Sequence, residues 1–310
     1  IRDRYVLLVF FCYIKSFLGH LGESKMQIDN LGVIGAGMMG AEIALIFAMS
    51  GKSVMLNDRS QDLLDEALNK LSATLDAGIS RNFWTEEDKA ITLSNIALTT
   101  NLEDFSECHM VIEAVFEDAA VKGEVFKKLN NILKPNCIIA SNTSSISITV
   151  LSANVSEARQ KNFVGLHFFS PVHRMKLVEV INGMDSSAEA LEVATQACRD
   201  AGKVPIQVKD VVGFAVNRML FALWNEALRL VEEGACTPED IDVGCKLGLG
   251  HPVGPFELMD LTSNTLNLQV GKILEDAYGD RFHPRPILKQ VVAAGRAGRK
   301  VGRGWYKYDK

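Results

Sequence analysis

Ile28-Asp29-Asn30-Leu31-Gly32-Val33-Ile34-Gly35-Ala36-Gly37-Met38-Met39-Gly40 decides the fold. Ile28–Ile34 reads as a strand, and Met39–Ser50 as an apolar helix that Gly51 closes. Between them Gly35, Gly37 and Gly40 fit G-x-G-x-x-G. The first glycine permits the tight turn, the second lets backbone approach a pyrophosphate, and the third lets helix and strand pack closely. The helix that follows aims free N–H groups and its positive dipole end at the same point. A glycine triplet alone is weak evidence. Here Val54–Leu56 reads as a second strand, and Asp58 ends it near the offset at which an acid meets a ribose. This is the pattern of a dinucleotide site. The Asp58 carboxylate suits both ribose hydroxyls of NAD and repels a 2′-phosphate, while Arg59 beside it keeps NADP as the alternative.

Outward from that unit the alternation continues. An amphipathic stretch runs from Gln61 to about Ala77, and apolar runs follow at Ile96–Thr99, Met110–Val115, Cys137–Ala140 and Phe163–Phe169. Helical or turn-rich stretches separate them, which argues for a mostly parallel sheet with helices on both faces. After Pro205 and Val208 the texture changes. Phe214–Val231 carries apolar residues on most faces, which predicts a helix buried on several sides. Helices with Gly/Pro turns follow, so the boundary is placed near Lys209–Gly213. The reading is an α/β chain: a doubly wound, Rossmann-type NAD-binding domain over residues 26–209, then an all-helical domain over 210–310.

Composition excludes several classes. With 310 residues, 47% hydrophobic and 23% charged, the chain can bury a core without staples and is neither disordered nor fibrous. Its net charge of −5 and lack of a basic stripe argue against a nucleic-acid partner. Six cysteines, at 12, 108, 137, 198, 236 and 245, form no C-x-x-C, and the six histidines no H-E-x-x-H. They read as scattered thiols of a reducing compartment, with no metal site. Val6–Ile14 is uncharged but falls far short of the ~20 residues of a membrane span. Ser16–Lys25 offers no small-x-small cleavage site, and Asp3 and Glu23 count against a transit peptide. Residues 1–25 therefore read as an extension outside the fold, and no membrane partner is expected.

Two further segments carry chemistry. Ser141-Asn142-Thr143-Ser144-Ser145 follows a buried-looking strand and holds more polar groups than one helix cap needs. Strand carboxyl ends are where open α/β sheets bind ligands. His167 lies near the end of another apolar run, and alone it reads as a satisfied core residue. Twelve residues on, Glu179 sits inside Lys176-Leu177-Val178-Glu179-Val180-Ile181. A carboxylate in a half-buried strand is costly unless paired, and an imidazole is an obvious partner. Such a pair fixes the ring tautomer and makes a usable proton acceptor. Oxidation of an alcohol by NAD needs one, because the hydroxyl loses its proton as the carbon loses hydride.

Gly-Ala-Gly-Met-Met-Gly, Ser-Asn-Thr-Ser-Ser, His167-Phe168-Phe169-Ser170-Pro171-Val172-His173-Arg174-Met175 and Gly213-Phe214-Ala215-Val216-Asn217-Arg218 together resemble the L-3-hydroxyacyl-CoA dehydrogenase family. The likeness covers about Gln27 to Tyr308 and points to its single-function 3-hydroxybutyryl-CoA type. The resemblance implies that His167 is the general base, Glu179 its orienting carboxylate, Ser144 the serine bonded to the substrate oxygen, and Asn217 the helix asparagine completing the site. It implies cofactor contacts at Glu117, Lys122, Ser144, Ser170 and Lys300 beside Gly35, Gly37, Gly40 and Asp58. For Lys122 and Lys300 a solvated charge is the alternative, and for Asn217 a polar residue on a helix surface. Its apolar neighbours Phe214, Val216, Met219 and Leu220 favour a buried position. It also implies an acyl-CoA substrate and a homodimer formed by the helical domain. Lys70 and Arg81 are available for CoA phosphates, with a solvated helix as the alternative. Two departures stand out: Ser170 where many members have Asn, and Leu261-Thr262-Ser263-Asn264 where the family has a Gly-Leu-Asp-like sequence.

Three rivals remain. Free 3-hydroxyacid dehydrogenases use a catalytic lysine in a long helix, yet Phe214–Val231 contains none. A non-catalytic NAD-binding structural or sensory protein would not need every catalytic position filled. A fatty-acid multienzyme fragment would carry a hydratase half. The expected home is the cytoplasm of a bacterium, with a mitochondrial matrix as alternative; fatty-acid breakdown and butanoate metabolism both use such a reaction. His173 and His251 show no carboxylate partner in sequence and read as structural.

Overall fold

The structure, a computed structural model, describes residues 27–308; the segment read as an extension lies outside them, as does Cys12. The sheet has eight strands: β1 (Asn30–Ile34), β2 (Ser53–Asn57), β3 (Ile96–Thr99), β4 (Met110–Glu113), β5 (Ile138–Ser141), β6 (Phe163–Phe168), β7 (Leu177–Asn182) and β8 (Val204–Lys209). Their order is β3-β2-β1-β4-β5-β6-β7-β8. Pairing is parallel from β3 through β6; β7 then runs antiparallel to β6, and β8 parallel to β7. Every residue of β4, β5 and β6 is buried, as strands covered on both faces must be. Strand order reverses between β1 and β4, which opens a crevice at their carboxyl ends.

Helices cover the two faces. On one lies α1 (Met38–Met49), whose Ile43, Ala44, Leu45 and Phe47 are fully buried in a core shared with Leu56, Leu64 and Val164. Gly51, at φ 81°, stops this helix in the left-handed region where glycine carries no Cβ penalty. Beside it α2 (Gln61–Ile79) buries Leu64, Ala67, Leu71 and Leu75, one face at helical spacing, and α3 (Glu86–Ser94) follows through a Thr85/Asp88 capping box. On the other face Phe105, Phe126, Phe163 and Ile148 pack together, with Phe126 edge-on to Phe163 at 4.8 Å. Contributors there are α4 (Ala119–Ile132) and α5 (Ile148–Ser152); α6 (Glu157–Gln160) follows. Before β8, α7 (Ala188–Asp200) returns to the first face.

From Val216 onward the ordered elements are helices: α8 (Val216–Glu232), α9 (Pro238–Gly248), α10 (Pro255–Thr262), α11 (Asn264–Tyr278) and α12 (Pro286–Ala293). Their core gathers Phe221, Trp224, Phe256, Leu274 and Phe282. The doubly wound α/β fold with a helical C-terminal part is thus as read. Three details differ. The helix expected from Phe214 begins at Val216, because Gly213 and Phe214 have φ of 73° and 46°, which no right-handed helix admits. That helix buries one face, through Phe221, Trp224, Asn225 and Leu228, and not several sides; Met219 is 66% exposed. Strand β8 and helices α3 and α7 were not foreseen.

Ser263 joins α10 to α11 at φ 97°, ψ 118°, a conformation that favours glycine, and it lies in the stretch that departs from the family pattern. Ser263→Gly should raise stability by about 1 kcal/mol, read from the denaturant midpoint. An unchanged midpoint would show that this backbone carries no strain.

Candidate functional site

The cradle is built at the crevice between β1 and β4. Gly35 turns the chain at φ 98° and donates to the Asn57 carbonyl at 2.8 Å. A Cβ on Gly35 would sit 2.7 Å from the Ala114 carbonyl oxygen, and one on Gly40 only 1.8 Å from that of Gly35. A Cβ on Gly37 would meet nothing within 4 Å. Two of the three glycines are thus demanded by the protein itself; the third keeps open the space in front of α1. That helix starts without a side-chain cap or an acidic residue in its first turn, so its N–H groups stay available to an anion. Asp58 accepts from Ala36 N–H and Arg59 N–H, each at 2.7 Å, which holds its carboxylate at the mouth; Arg59 is exposed. A cleft of about 1550 Å³ runs past Gly37, Asp58, Val115 and Phe116. The residues present fit a dinucleotide.

Three strand ends away lies a chain of proton-bearing groups. The antiparallel register sets His167 of β6 directly opposite Glu179 of β7, so both side chains share one face. His167 Nδ1 lies 2.8 Å from Glu179 Oε2, and the glutamate is fully buried. Its other oxygen accepts from the N–H groups of Ala215 and Val216, both at 3.0 Å. Burial pushes the Glu179 carboxyl up, but the His167 hydrogen bond and the two N–H donors outweigh it and hold it below the usual carboxylate range. An ionised carboxylate can only accept, so Nδ1 must donate. Nε2 of the neutral ring is then an acceptor, and Ser144 Oγ stands 3.1 Å from it. Phe169 and Phe214 flank the imidazole with ring centroids at 4.6 and 5.6 Å. Such a chain can take a proton at Nε2 and give it back.

Ser144 is held from behind by acid as well. Glu117 Oε1 accepts from Thr143 Oγ1 at 2.6 Å, Ser144 N–H at 2.8 Å and Ser145 N–H at 3.0 Å. Burial raises its carboxyl, while the Lys122 ammonium, then Thr143 and Ser144, lower it further than burial lifts it. Lys122 is no solvated charge: its side chain is 1% exposed, 2.7 Å from Glu113 and 3.3 Å from Glu117. Ser141 Oγ donates to the other oxygen of Glu113 at 2.6 Å. Sequence reading missed Glu113, whose signal was a lone carboxylate closing the apolar strand Met110–Glu113. It also missed Glu42, which lies 3.4 Å from His173 Nδ1 and so gives that histidine a carboxylate neighbour.

The remaining candidates are less closely knit. Asn217, in the first turn of α8, is half-buried rather than buried, at the exposed end of the same helix face that packs through Phe221, Trp224 and Leu228; its side chain bonds to none of the described residues. Ser170 is exposed just after β6. Lys300 is exposed in the turn Arg299–Val301, and the structure brings it against none of the other candidates. Lys70 borders the main cleft and pairs with Glu66 at 2.5 Å. Arg81 lines a second cleft, of about 780 Å³, with Phe83, Trp84, His173 and Arg174. Five described cysteines are free thiols, and burial pushes Cys108, Cys137 and Cys198 up to about 12, so these three are packing groups.

Comparison with known proteins matches residues 30–211 to the model of the 3-hydroxyacyl-CoA dehydrogenase NAD binding domain, and residues 213–308 to that of the 3-hydroxyacyl-CoA dehydrogenase C-terminal domain. The chain belongs to the 3-hydroxyacyl-CoA dehydrogenase family. It is 41% identical over 280 residues to a probable 3-hydroxybutyryl-CoA dehydrogenase of Deinococcus radiodurans, covering 90% of this chain and 100% of that protein. It is 39% identical over 297 residues to the mitochondrial hydroxyacyl-coenzyme A dehydrogenase of Sus scrofa, with 92% of each covered. The crystal structure of (S)-3-hydroxybutyryl-CoA dehydrogenase from Ralstonia eutropha superposes with a TM-score of 0.88 at 40% identity, over 92% of this chain and 100% of that one. This dehydrogenase is therefore an NAD-dependent oxidoreductase, and the non-catalytic and free-acid rivals are not favoured. No helix among its described residues is long and apolar enough to cross a membrane.

The glycines give a paired test. Gly40→Ala should lower stability by roughly 1–3 kcal/mol through overpacking and weaken NADH binding with it. Gly37→Ala should leave the unfolding midpoint in place and weaken NADH binding alone, since its methyl enters only the cradle. NADH titration beside denaturant unfolding separates the two, and equal stability losses would refute the division.

Proposed function

We propose that this dehydrogenase interconverts L-3-hydroxyacyl-CoA and 3-ketoacyl-CoA, with short-chain 3-hydroxybutyryl-CoA as its substrate. The observation that carries the reading is the Ser144–His167–Glu179 chain at strand carboxyl ends, beside a cradle that fits a dinucleotide. Bound NAD supplies the hydride acceptor, or as NADH the donor. Everything else falls to the protein. His167 Nε2 takes the proton of the 3-hydroxyl in oxidation and returns it in reduction. Ser144 Oγ and the Asn217 amide donate toward the same oxygen where charge develops, a role worth about 10²–10³ in rate per donor. Glu179 keeps the ring in one tautomer and favours the imidazolium that forms.

We assign Gly35, Gly37, Gly40 and Asp58 to the dinucleotide's phosphates and ribose, and Glu117, Ser144, Ser170 and Lys300 to further contacts with it. Lys122 acts on that side through Glu117, which it meets while buried. Ser170 offers one short donor where an amide offers two, so its contact is the weaker. Arg81 and Arg174, which face one cleft and have no ion-pair partner among the described residues, suit the phosphates of CoA better than Lys70, which Glu66 occupies.

Domain assignment follows these roles: residues 26–209 for the cofactor, 210–310 for substrate closure and a homodimer. Exposed Met219, Leu247 and Leu249 on and after α8 and α9 support the second role. Bacterial relatives support a cytoplasmic home; the mammalian ones keep a mitochondrial matrix as the alternative.

Mixing the protein with NADH and acetoacetyl-CoA should consume NADH rapidly, with free acetoacetate and NADPH as poor substitutes. His167→Gln should lower kcat by about 10²–10⁴ while the protein stays folded and binds NADH. Near wild-type turnover in that variant would remove His167 from the reaction, and equal rates with free acetoacetate would remove the thioester.

A further inference from the structure

The linker between β8 and α8 is gripped by a carboxylate at each end, and the two ends reach opposite sides of the Ser144–His167 contact. Asp210 opens the linker. Its side chain accepts from Ser147 Oγ at 2.7 Å, Ile148 N–H at 3.1 Å, Thr149 N–H at 2.8 Å and Thr149 Oγ1 at 2.7 Å. All four donors belong to Ser147, Ile148 and Thr149, the helix cap and first helical residues, one residue beyond Ser145. The backbone of Asp210 is fixed in turn, donating to the Asn182 carbonyl at the end of β7 at 3.2 Å. At the far end of the linker, Glu179 accepts from Ala215 and Val216 and holds His167 with its other oxygen.

Between these anchors the linker has little freedom. Gly213 and Phe214 bend it through the left-handed region, at φ 73° and 46°. Phe214 is buried with its ring 5.6 Å from the imidazole, and Tyr278 donates to the Val212 carbonyl at 2.9 Å. Release at Asp210 therefore loosens the turn behind Ser144, leaving Glu117 as its remaining carboxylate anchor, and leaves the His167 side in place.

We propose that Asp210 is a positioning residue for the reaction, setting Ser144 against His167 through the Ser147–Thr149 turn. This rests on the roles given above to Ser144 and His167. Asp210 touches neither substrate nor cofactor in this account. It acts through the serine turn, alongside Glu117, which holds the Ser144 N–H from the other side.

A double-mutant cycle on kcat, with NADH and acetoacetyl-CoA at saturation, tests it. Asp210→Ala should lower kcat about 10-fold, within the range that small misplacements of a reacting group produce, and leave KM for NADH nearly unchanged. In a Ser144→Ala background the same substitution should change kcat less than about 2-fold, because the group it positions is already gone. Equal factors in both backgrounds would overturn the proposal, as would wild-type kcat in Asp210→Ala. Wild-type kcat in Ser144→Ala alone would overturn the role of Ser144 and the proposal with it. If Asp210→Ala does not fold, Asp210→Asn replaces it. That variant keeps one acceptor oxygen and should show a smaller loss with the same non-additivity; additivity overturns the proposal there too.

Discussion

Glu179 serves two masters with its two oxygens, and the site exists because it does. One oxygen takes the Nδ1 proton of His167; the other takes the first free N–H groups at the start of α8. A helix start leaves N–H donors without partners, and a buried carboxylate needs donors to remain ionised. Each need answers the other. The same atoms that orient the imidazole thus fasten the helical part of the chain to the sheet. The same bond fixes the backbone just before the half-buried Asn217.

Acid recurs around this site, each carboxylate set against N–H or hydroxyl donors or a matched cation, with Glu113 buried and Glu117 and Asp210 nearer the surface. Glu117 gathers the serine turn, Glu113 and Glu117 share Lys122, and Asp210 gathers the turn after Ser144. A buried pair such as Glu113–Lys122 is a poor stabiliser compared with apolar packing, and removing one partner costs about 3–5 kcal/mol. What these carboxylates provide is placement. Ser144 and His167 come from different strand ends, and their 3.1 Å separation is set by carboxylates on each side. Apolar contacts alone would leave such a distance loosely defined.

How much of this the sequence shows depends on whether the cause is local. The cradle was legible because Gly35 and Gly40 are required by backbone contacts within a few residues and one neighbouring strand. His167 and Glu179 were legible because a carboxylate in an apolar strand needs a partner and a nearby histidine offers one. Asp210 was not: its partners lie 61 to 63 residues away, and in sequence it falls at the domain boundary placed near Lys209–Gly213. For Lys122, read as a cofactor contact with a solvated charge as the alternative, the sequence did not show that Glu113 and Glu117 close around it. β8 escaped because edge strands tolerate proline; Pro205 sits in it, and Val204 and Ile206 are 56% and 38% exposed, which blurs the alternation. The start of α8 was misplaced by two residues because Phe214 occupies a backbone region that its chemistry disfavours.

The central claim is that Glu179 fixes the His167 proton on Nδ1 and leaves Nε2 free to accept. Nitrogen-15 NMR of the imidazole in the free enzyme, read across pH where the ring is neutral, reports this directly. In the neutral ring Nδ1 should bear the proton and Nε2 be bare, and Glu179→Gln should lose that preference. A proton found on Nε2 of the neutral ring would contradict it, since the nitrogen facing Ser144 would then have no lone pair to receive the substrate's proton.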